Sequence, residues 1–418
     1  MHDFSLILKE ELVCALGCTE PIAVALAGAR AKELLRGEPV KVDIYCSGNI
    51  IKNVKGVTVP NSGGMKGIEA AAALGIAAGR SDQGLEVLSQ VGEADIKKAK
   101  QMIEDKVLDV HLKEGVENLD IEIQMTDRSG NHVIVEIMNK HNNIVRISRN
   151  GQEFVEAQVM GKEAAKDLYK NLNIHNIIEY ANTVELSEIS AEIDNQITLN
   201  RNISSEGLTG KWGSAIGKIL LASDEKVRTR ARAMAAAGSD ARMSGCSMPV
   251  VINAGSGNQG ITCCIPVMEY AKELGSTDQE LKRALLVSNL TALHIKRYIG
   301  RLSAFCGVTS AGAAAAAGIA YLHDSQDESL IERTIENTLM IVSGMVCDGA
   351  KPSCAAKIAS AVDAGITGFE MAYQNRDFRS GEGLMKGSVE ETIRSIGRMG
   401  AEGMKQTDIE ILNIMLDR

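Results

Sequence analysis

The chain has 418 residues, with 45 Lys and Arg against 54 Asp and Glu, a formal net charge of −9. It is 45% hydrophobic and 24% charged, the balance of an ordinary folded protein, which excludes disorder, a collagen repeat and a disulfide scaffold. An acidic surplus with no basic stripe and no aromatic stacking motif argues against a dedicated nucleic-acid binder.

Only 3% of residues are aromatic and 40 are glycine, so the core must be aliphatic and Ala-rich, which suits close helix packing. The length predicts two domains. The most basic stretch, Lys226–Arg232, reads as a solvated helix face. The start, MHDFSLILKEEL, is acidic and amphipathic rather than a basic segment followed by an apolar run. The longest apolar run, Thr309–Leu322, is short and mostly Ala and Gly. A cytoplasmic location with no membrane partner is therefore expected. In a reducing compartment the nine cysteines are core residues, metal ligands or reactive thiols, not a disulfide framework.

Residues 1–37 read as helix, break, helix. Phe4, Leu8, Leu12 and Leu16 recur at helical spacing, and GCTEP interrupts at Gly17. Thr19 is the expected N-cap, with Glu20 and Pro21 in the first turn, which places Cys18 just before a helix N-terminus. From Pro39, VKVDIYCSGN alternates as a half-buried strand does. A glycine-rich turn, Pro60–Gly67 (PNSGGMKG), leads into the Ala-rich helix IEAAAALGIAAG. Strand signals cluster from Leu108 to Val155, with turns at RSGN, NKHNN and Asn150-Gly151. Beyond about residue 160 helical periodicity dominates, broken near 210, 238–262, 300–312 and 344–353. The expected fold is α+β: an Ala/Gly-rich all-helical domain formed by 1–37 with 201–418, and a smaller α/β domain with an antiparallel meander at 38–200.

Cys306 lies in RLSAFCGVTSAG, and Cys347 and Cys354 in GMVCDGAKPSC. No C-x-x-C occurs, so zinc-finger and ordinary ferredoxin spacings are absent. Each of the three lies beside a loop with Gly, Ser or Pro, where backbone N–H groups can face a cluster and its sulfurs. Asn253–Gly260 (NAGSGNQG) follows the strand-like PVVI and precedes a helix, a possible anion cradle that is neither a P-loop nor a dinucleotide fingerprint. PNSGGMKG is a second loop at a helix start, either a plain turn or a carboxylate site. A thiol at a helix N-terminus has its pKa lowered by the dipole, so Cys18 can serve as thiolate, ligand or base, or else be a buried core residue. Cys263 and Cys264 read as core, Cys14, Cys46 and Cys246 as structural, and His294 as a packed helix residue.

Several of these segments together resemble the iron–sulfur L-serine dehydratase alpha chain: AMAAAGSDARMSGCSMPVVINAGSGNQGITCCIPV, SAFCGVTSAGAAAAAG and VSGMVCDGAKPSCAAKIA, in that order over roughly residues 205–375. GCTEP and PNSGGMKG are similar to the L-cysteine desulfidase group, a serine dehydratase alpha-like family, and this likeness spans essentially the whole chain. The departures favour the desulfidase: PNSGGMKG lacks the His of the dehydratases' Ser-Ser-His-Thr loop, and the last two cysteines are closer together.

The resemblance implies a [4Fe–4S] cluster held by Cys306, Cys347 and Cys354, with one iron open to substrate and no pyridoxal phosphate. It implies a lyase converting L-cysteine to pyruvate, ammonia and hydrogen sulfide, or, with serine as substrate, a serine dehydratase. Cys18 is the first choice of base, with Lys66 and Lys351 in reserve. Asn61, Ser62, Gly63 and Gly64 are candidates for the substrate carboxylate, and Asn253, Ser256 and Asn258 for orienting its amino or carboxylate group. The partner is a small amino acid, and a homodimer would be unsurprising. A non-catalytic iron–sulfur redox sensor and structural zinc at the same cysteines are the competing readings.

Overall fold

The structure, a computed structural model, describes residues 2–154 and 168–417. The first segment forms α1 (Ser5–Glu11), a short strand β1 (Cys14–Leu16) and α2 (Thr19–Leu35). The break falls at Gly17 for a steric reason. Its φ is +67°, and a Cβ there would lie 2.6 Å from Cγ of Pro60. The expected cap is displaced by one residue. Cys18 takes the extended N-cap position, and Thr19 is the first helical residue. The Thr19 hydroxyl instead donates across the fold to the Gly255 carbonyl, at 2.8 Å.

The alternating segment from Pro39 is β2 (Pro39–Cys46), followed by α3 (Gly48–Val54), α4 (Ile68–Ala78) and α5 (Glu93–Glu104). Next comes β3 (Leu108–Leu112), which lies outside the meander, and then the meander itself, β4 (Asp120–Asp127), β5 (His132–Met138), β6 (Ile144–Arg149) and β7 (Gln152–Phe154). The expected end of the meander at Val155 and the start of the helical half near 160 lie outside the described residues. The sheet order is β3-β2-β4-β5-β6-β7, with β2 and β3 parallel and every other pair antiparallel. Period-two alternation buries Val42, Ile44, Ile121, Ile123, Val133 and Val135 on one face. Helix α2 covers β4 and β5 there and packs on α4. The two helices meet backbone to backbone: a Cβ on Gly75 would lie 2.1 Å from the Ala25 carbonyl oxygen.

The remaining described chain is helical apart from one short strand. In order it contains α6 (Ile174–Thr183), α7 (Ser190–Thr209), α8 (Ile216–Leu221), α9 (Val227–Met243), β8 (Pro249–Val251), α10 (Gly257–Leu274) and α11 (Asp278–Ile299). Then come α12 (Gly307–His323), α13 (Glu328–Val342), α14 (Cys354–Tyr373), α15 (Val389–Arg398) and α16 (Lys405–Met415). The Ala-rich α12 is buried along nearly its whole length and packs against α10, α11, α13 and α14. Small residues let these axes approach: a Cβ on Gly312 would lie 2.6 Å from the Ala361 carbonyl oxygen. Strand β8 pairs antiparallel with β1, Cys14 opposite Val251, and so fastens the N-terminal segment to the helical half.

The basic stretch 226–232 lies on α9 and is ion-paired. Arg228 bonds Asp363 at 2.8 Å and Glu370 at 2.7 Å, and Arg230 bonds Glu269 at 3.1 Å and Glu273 at 2.7 Å. Among the described residues no helix is long and apolar enough to cross a membrane.

Candidate active site

Four helices begin at one cavity of about 100 Å³. They are α2, α10, α12 and α14, of 17, 18, 17 and 20 residues, and their N-caps are Cys18, Ser256, Cys306 and Ser353. The first N–H groups of each helix have no partner within the helix, and together they give the cavity a positive potential. Arg242, Lys296 and Arg301 add cationic side chains to the wall.

Cys306, Cys347 and Cys354 all line this cavity. A two-stranded bridge between Phe305 and Val346 places the first two side by side. The Cys306 N–H donates to the Met345 carbonyl at 3.0 Å, and the Cys347 N–H to the Ala304 carbonyl at 2.6 Å. Their thiols share a hydrogen bond, which is the largest influence on both. It lowers the Cys347 pKa to about 6 against the cost of burial, helped by Lys52, the Gly349 N–H and Lys296. The same bond, with burial, raises Cys306 well above the ordinary thiol value. Cys354 opens α14, and its thiol is raised by burial.

Lys296 is buried behind these sulfurs. Burial lowers its pKa to about 8, while Cys347 and Cys306 hold it up. Lys52, 1% exposed, approaches from α3 and is anchored by an ion pair with Asp408.

Three converging thiols under helix N-termini and ammonium groups suit an anionic thiolate-bound group. Among the described residues no three His, Cys, Asp or Glu side chains could share one metal ion. A cubane's three thiolates bind three different irons, so that finding bears on the zinc alternative, which needs four ligands on a single ion.

Cys18 lies in the wall at the start of α2, but its thiol is not acidified. Burial pushes it up to about 12, with Arg242 pulling back and Glu20 and Cys354 adding to the rise. The dipole argument fails because desolvation of a fully buried sulfur outweighs a helix end.

Ser256 and Asn258 face the cavity. The Ser256 hydroxyl caps α10 at the Gln259 N–H, 3.5 Å away, and Asn258 Oδ1 accepts from Arg242 Nη1 at 2.6 Å. Asn253 does not line it. Its side-chain amide turns into the core and donates to Oδ1 of Asn289 at 3.0 Å.

The PNSGGMKG loop stands apart, and none of Asn61, Ser62, Gly63, Gly64 and Lys66 belongs to the described lining. Asn61 donates to the Leu88 carbonyl at 2.9 Å, and Ser62 closes its own turn onto the Met65 carbonyl at 3.2 Å. Gly63, Gly64 and Lys66 are exposed. The loop's contact with the site region is Pro60 against Gly17. Lys351 is also outside the lining and is paired with Asp348. Lys66 thus lies outside the lining, whereas Lys351 lies beside it and its charge lowers the Cys354 thiol.

The sequence reasoning missed Glu20, His141, Arg242, Gln259, Lys296 and Arg301, all of which face the cavity. Gln259 and Arg242 sit inside quoted motif segments and could have been found there. Gln259 Oε1, Arg242 Nε and His141 Nε2 are buried without a hydrogen-bond partner in the chain, the pattern of a polar site awaiting a ligand. His294 pairs with Glu390 at 2.8 Å and is a packed helix residue, as read.

The sequence model of the serine dehydratase alpha chain matches residues 82–413. A UPF0597 protein of Finegoldia magna is 58% identical over 418 residues, the whole of both chains. One from Desulfitobacterium hafniense is 50% identical over 414 residues, covering 99% of this chain and 96% of its own. One from Treponema denticola is 43% identical over 418 residues, covering 98% and 96%. With most of its length matched and its cysteine loops gathered at one cavity, the chain belongs to the serine dehydratase alpha-chain family.

Proposed function

We propose that the cavity is the active site of a [4Fe–4S]-dependent lyase that converts L-cysteine and water to pyruvate, ammonia and hydrogen sulfide. The observation that carries this reading is the meeting of Cys306, Cys347 and Cys354 beneath four helix N-termini. These three thiolates would hold the cluster, which supplies a Lewis acid for the departing heteroatom. The N–H groups that open α10, with Arg242 and Arg301, bind the substrate carboxylate as a helix terminus and guanidinium groups do. Gln259, whose amide oxygen has no partner, accepts from the substrate ammonium. Aminoacrylate released from the site tautomerises to the imine and hydrolyses in water.

A second reading, elimination of hydroxide from L-serine at the same site, is favoured by the family match itself. Anaerobic reconstitution with iron and sulfide, followed by pyruvate and sulfide assays on both amino acids, separates the two. Sulfide release from cysteine at the higher kcat/KM supports the desulfidase. Pyruvate from serine alone moves the assignment to the dehydratase. A Cys306→Ala variant that keeps full iron content and turnover would sink both.

A further inference from the structure

The tip of the hairpin joining β5 and β6 is an unusual place for a buried imidazole. Such tips normally face water. His141, in the turn Asn139–Asn143, is only 4% exposed and reaches the cavity. The turn is held in place. Asn139 adopts φ +67° and donates its N–H to the Leu119 carbonyl at 3.0 Å, and Lys140 pairs with Glu10 of α1 at 3.2 Å.

Two neighbours define the imidazole's surroundings. Glu20 Oε1, at the start of α2, is 3.9 Å from Nε2, and Nε2 has no hydrogen-bond partner in the chain. Glu20 is itself fixed by Asn53 Nδ2 at 3.2 Å, and the Thr19 hydroxyl, whose shorter bond goes to Gly255, lies 3.2 Å from its other oxygen. Burial pushes its carboxyl up, but His141, the helix start and Thr19 more than offset this, so it is held below its ordinary value. On the other edge, a Cβ built on Gly255 would lie 3.0 Å from both Cε1 and Nδ1 of His141, and 3.0 Å from Nη1 of Arg301. The imidazole therefore touches the loop that leads into α10, where the carboxylate of an amino acid would be held. A side chain at 255 would fill that contact.

We propose that His141, positioned by Glu20, is the base that removes the α-proton of the amino-acid substrate. Glu20 lies on the Nε2 side of the ring, 3.9 Å away, and Nδ1 lies on the Gly255 side, so it is the Nδ1 lone pair that acts. The α-proton passes to Nδ1, and the Cα–H pair becomes the Cα–Cβ double bond. The Cβ–S bond breaks with its pair on sulfur. The imidazolium then returns its proton to the departing sulfide, so His141 ends neutral.

This inference rests on the elimination chemistry proposed above, and its test separates the two. His141→Gln and Glu20→Gln are reconstituted anaerobically beside the parent enzyme. Turnover of L-cysteine and L-serine, and exchange of the α-proton of L-alanine with solvent deuterium, are measured per iron–sulfur cluster. L-alanine has no leaving group, so exchange reports proton removal alone.

His141→Gln is expected to lower both rates by about 10²–10⁴ with the visible spectrum of the cluster retained, the usual contribution of a general base. Glu20→Gln, acting through His141, lowers kcat at unchanged KM. A per-cluster fall of less than tenfold in His141→Gln would overturn the assignment of the base while leaving the lyase reading intact. A parent enzyme that forms a cluster yet turns over neither amino acid overturns the lyase reading, and the base with it. Normalisation to cluster content keeps the comparison decisive if a variant loads poorly.

Discussion

Gly257→Ala should destabilise the protein through one side chain. A Cβ at this position would lie 2.4 Å from Cζ of Arg242, 2.5 Å from Nη2 and 2.6 Å from Nε. Ordinary contact begins near 3.4 Å, so the guanidinium must move by about 1 Å. Arg242 is 2% exposed and is held by Asn258 and by the Gly17 carbonyl. Hydrogen bonds to a charged group contribute about 1.5–3 kcal/mol each, and a shift of that size breaks or bends both. Against a loss of about 3–6 kcal/mol stands the helix preference of Ala over Gly, about 1 kcal/mol. A net cost of about 2–5 kcal/mol follows. Urea unfolding of the parent, Gly257→Ala, Arg242→Met and the double variant would measure it as a double-mutant cycle. Once Arg242 is gone the added methyl should cost nothing, so the coupling should approach the whole single-variant effect. Gly92→Ala, where the nearest atom is the Asp95 carboxylate at 3.7 Å, is the control for an unobstructed helix start. If Gly257→Ala costs the same in both backgrounds, the clash with Arg242 is not its cause.

Three further outcomes are expected. Cys306→Ala removes the largest influence lowering the Cys347 thiol. Alkylation of Cys347 in cluster-free protein, followed by mass spectrometry across pH, should therefore begin near pH 6 in the parent and at a distinctly higher pH in the variant. Lys113 bridges Asp120, Glu122 and Glu136 at 3.0, 3.2 and 2.6 Å, so Lys113→Met leaves three crowded carboxylates. It should cost about 3–5 kcal/mol at pH 7 in denaturant unfolding, and less at pH 4 as the carboxylates take up protons; an equal cost at both would refute this. His175 is raised by its hydrogen bond to Glu328, with the charge of that carboxylate adding to the rise. The pair's stabilisation is complete below the ordinary His value and is lost as pH rises through the raised one. Glu328→Gln should return the His175 titration, followed by NMR, to the ordinary range.

What the sequence revealed about the site divides along a physical line. The cysteine loops were legible because Gly, Ser and Pro around Cys306, Cys347 and Cys354 mark helix starts locally, and all three do meet at the cavity. The sheet was legible for the same reason, since alternation in β2, β4 and β5 is a local property. PNSGGMKG also has the chemistry of an anion loop, but which loop faces a cavity is settled by packing. Here Pro60 packs on Gly17 and the glycines turn outward. His141 was illegible because NKHNN reads as a polar turn, and its burial arises from contacts with Glu20 and the Gly255 loop, far away in sequence. Cys18 was placed at the helix start, but its surroundings were not legible: a dipole can be read from a helix boundary, whereas the burial that raises this thiol depends on everything packed around it. PVVI was visible as a strand, but its partner, β1, was not.

The interlock of α12 and α14 sets a gauge for the cavity end of both helices. A Cβ on Gly312 would strike the Ala361 carbonyl, and one on Gly365 would strike the Gly312 carbonyl, each at 2.6 Å. Helices that slide past one another need side-chain clearance between them, and this notch leaves none. It lies about one and a half turns below Cys306, at 3.6 residues per turn. The spacing of Cys306 and Cys354 is thereby fixed by main-chain contact, like the jaws of a caliper locked at the beam. Any widening of the mouth must come from its other walls, the loops that carry Cys347 and His141 among them, and not from these two helices.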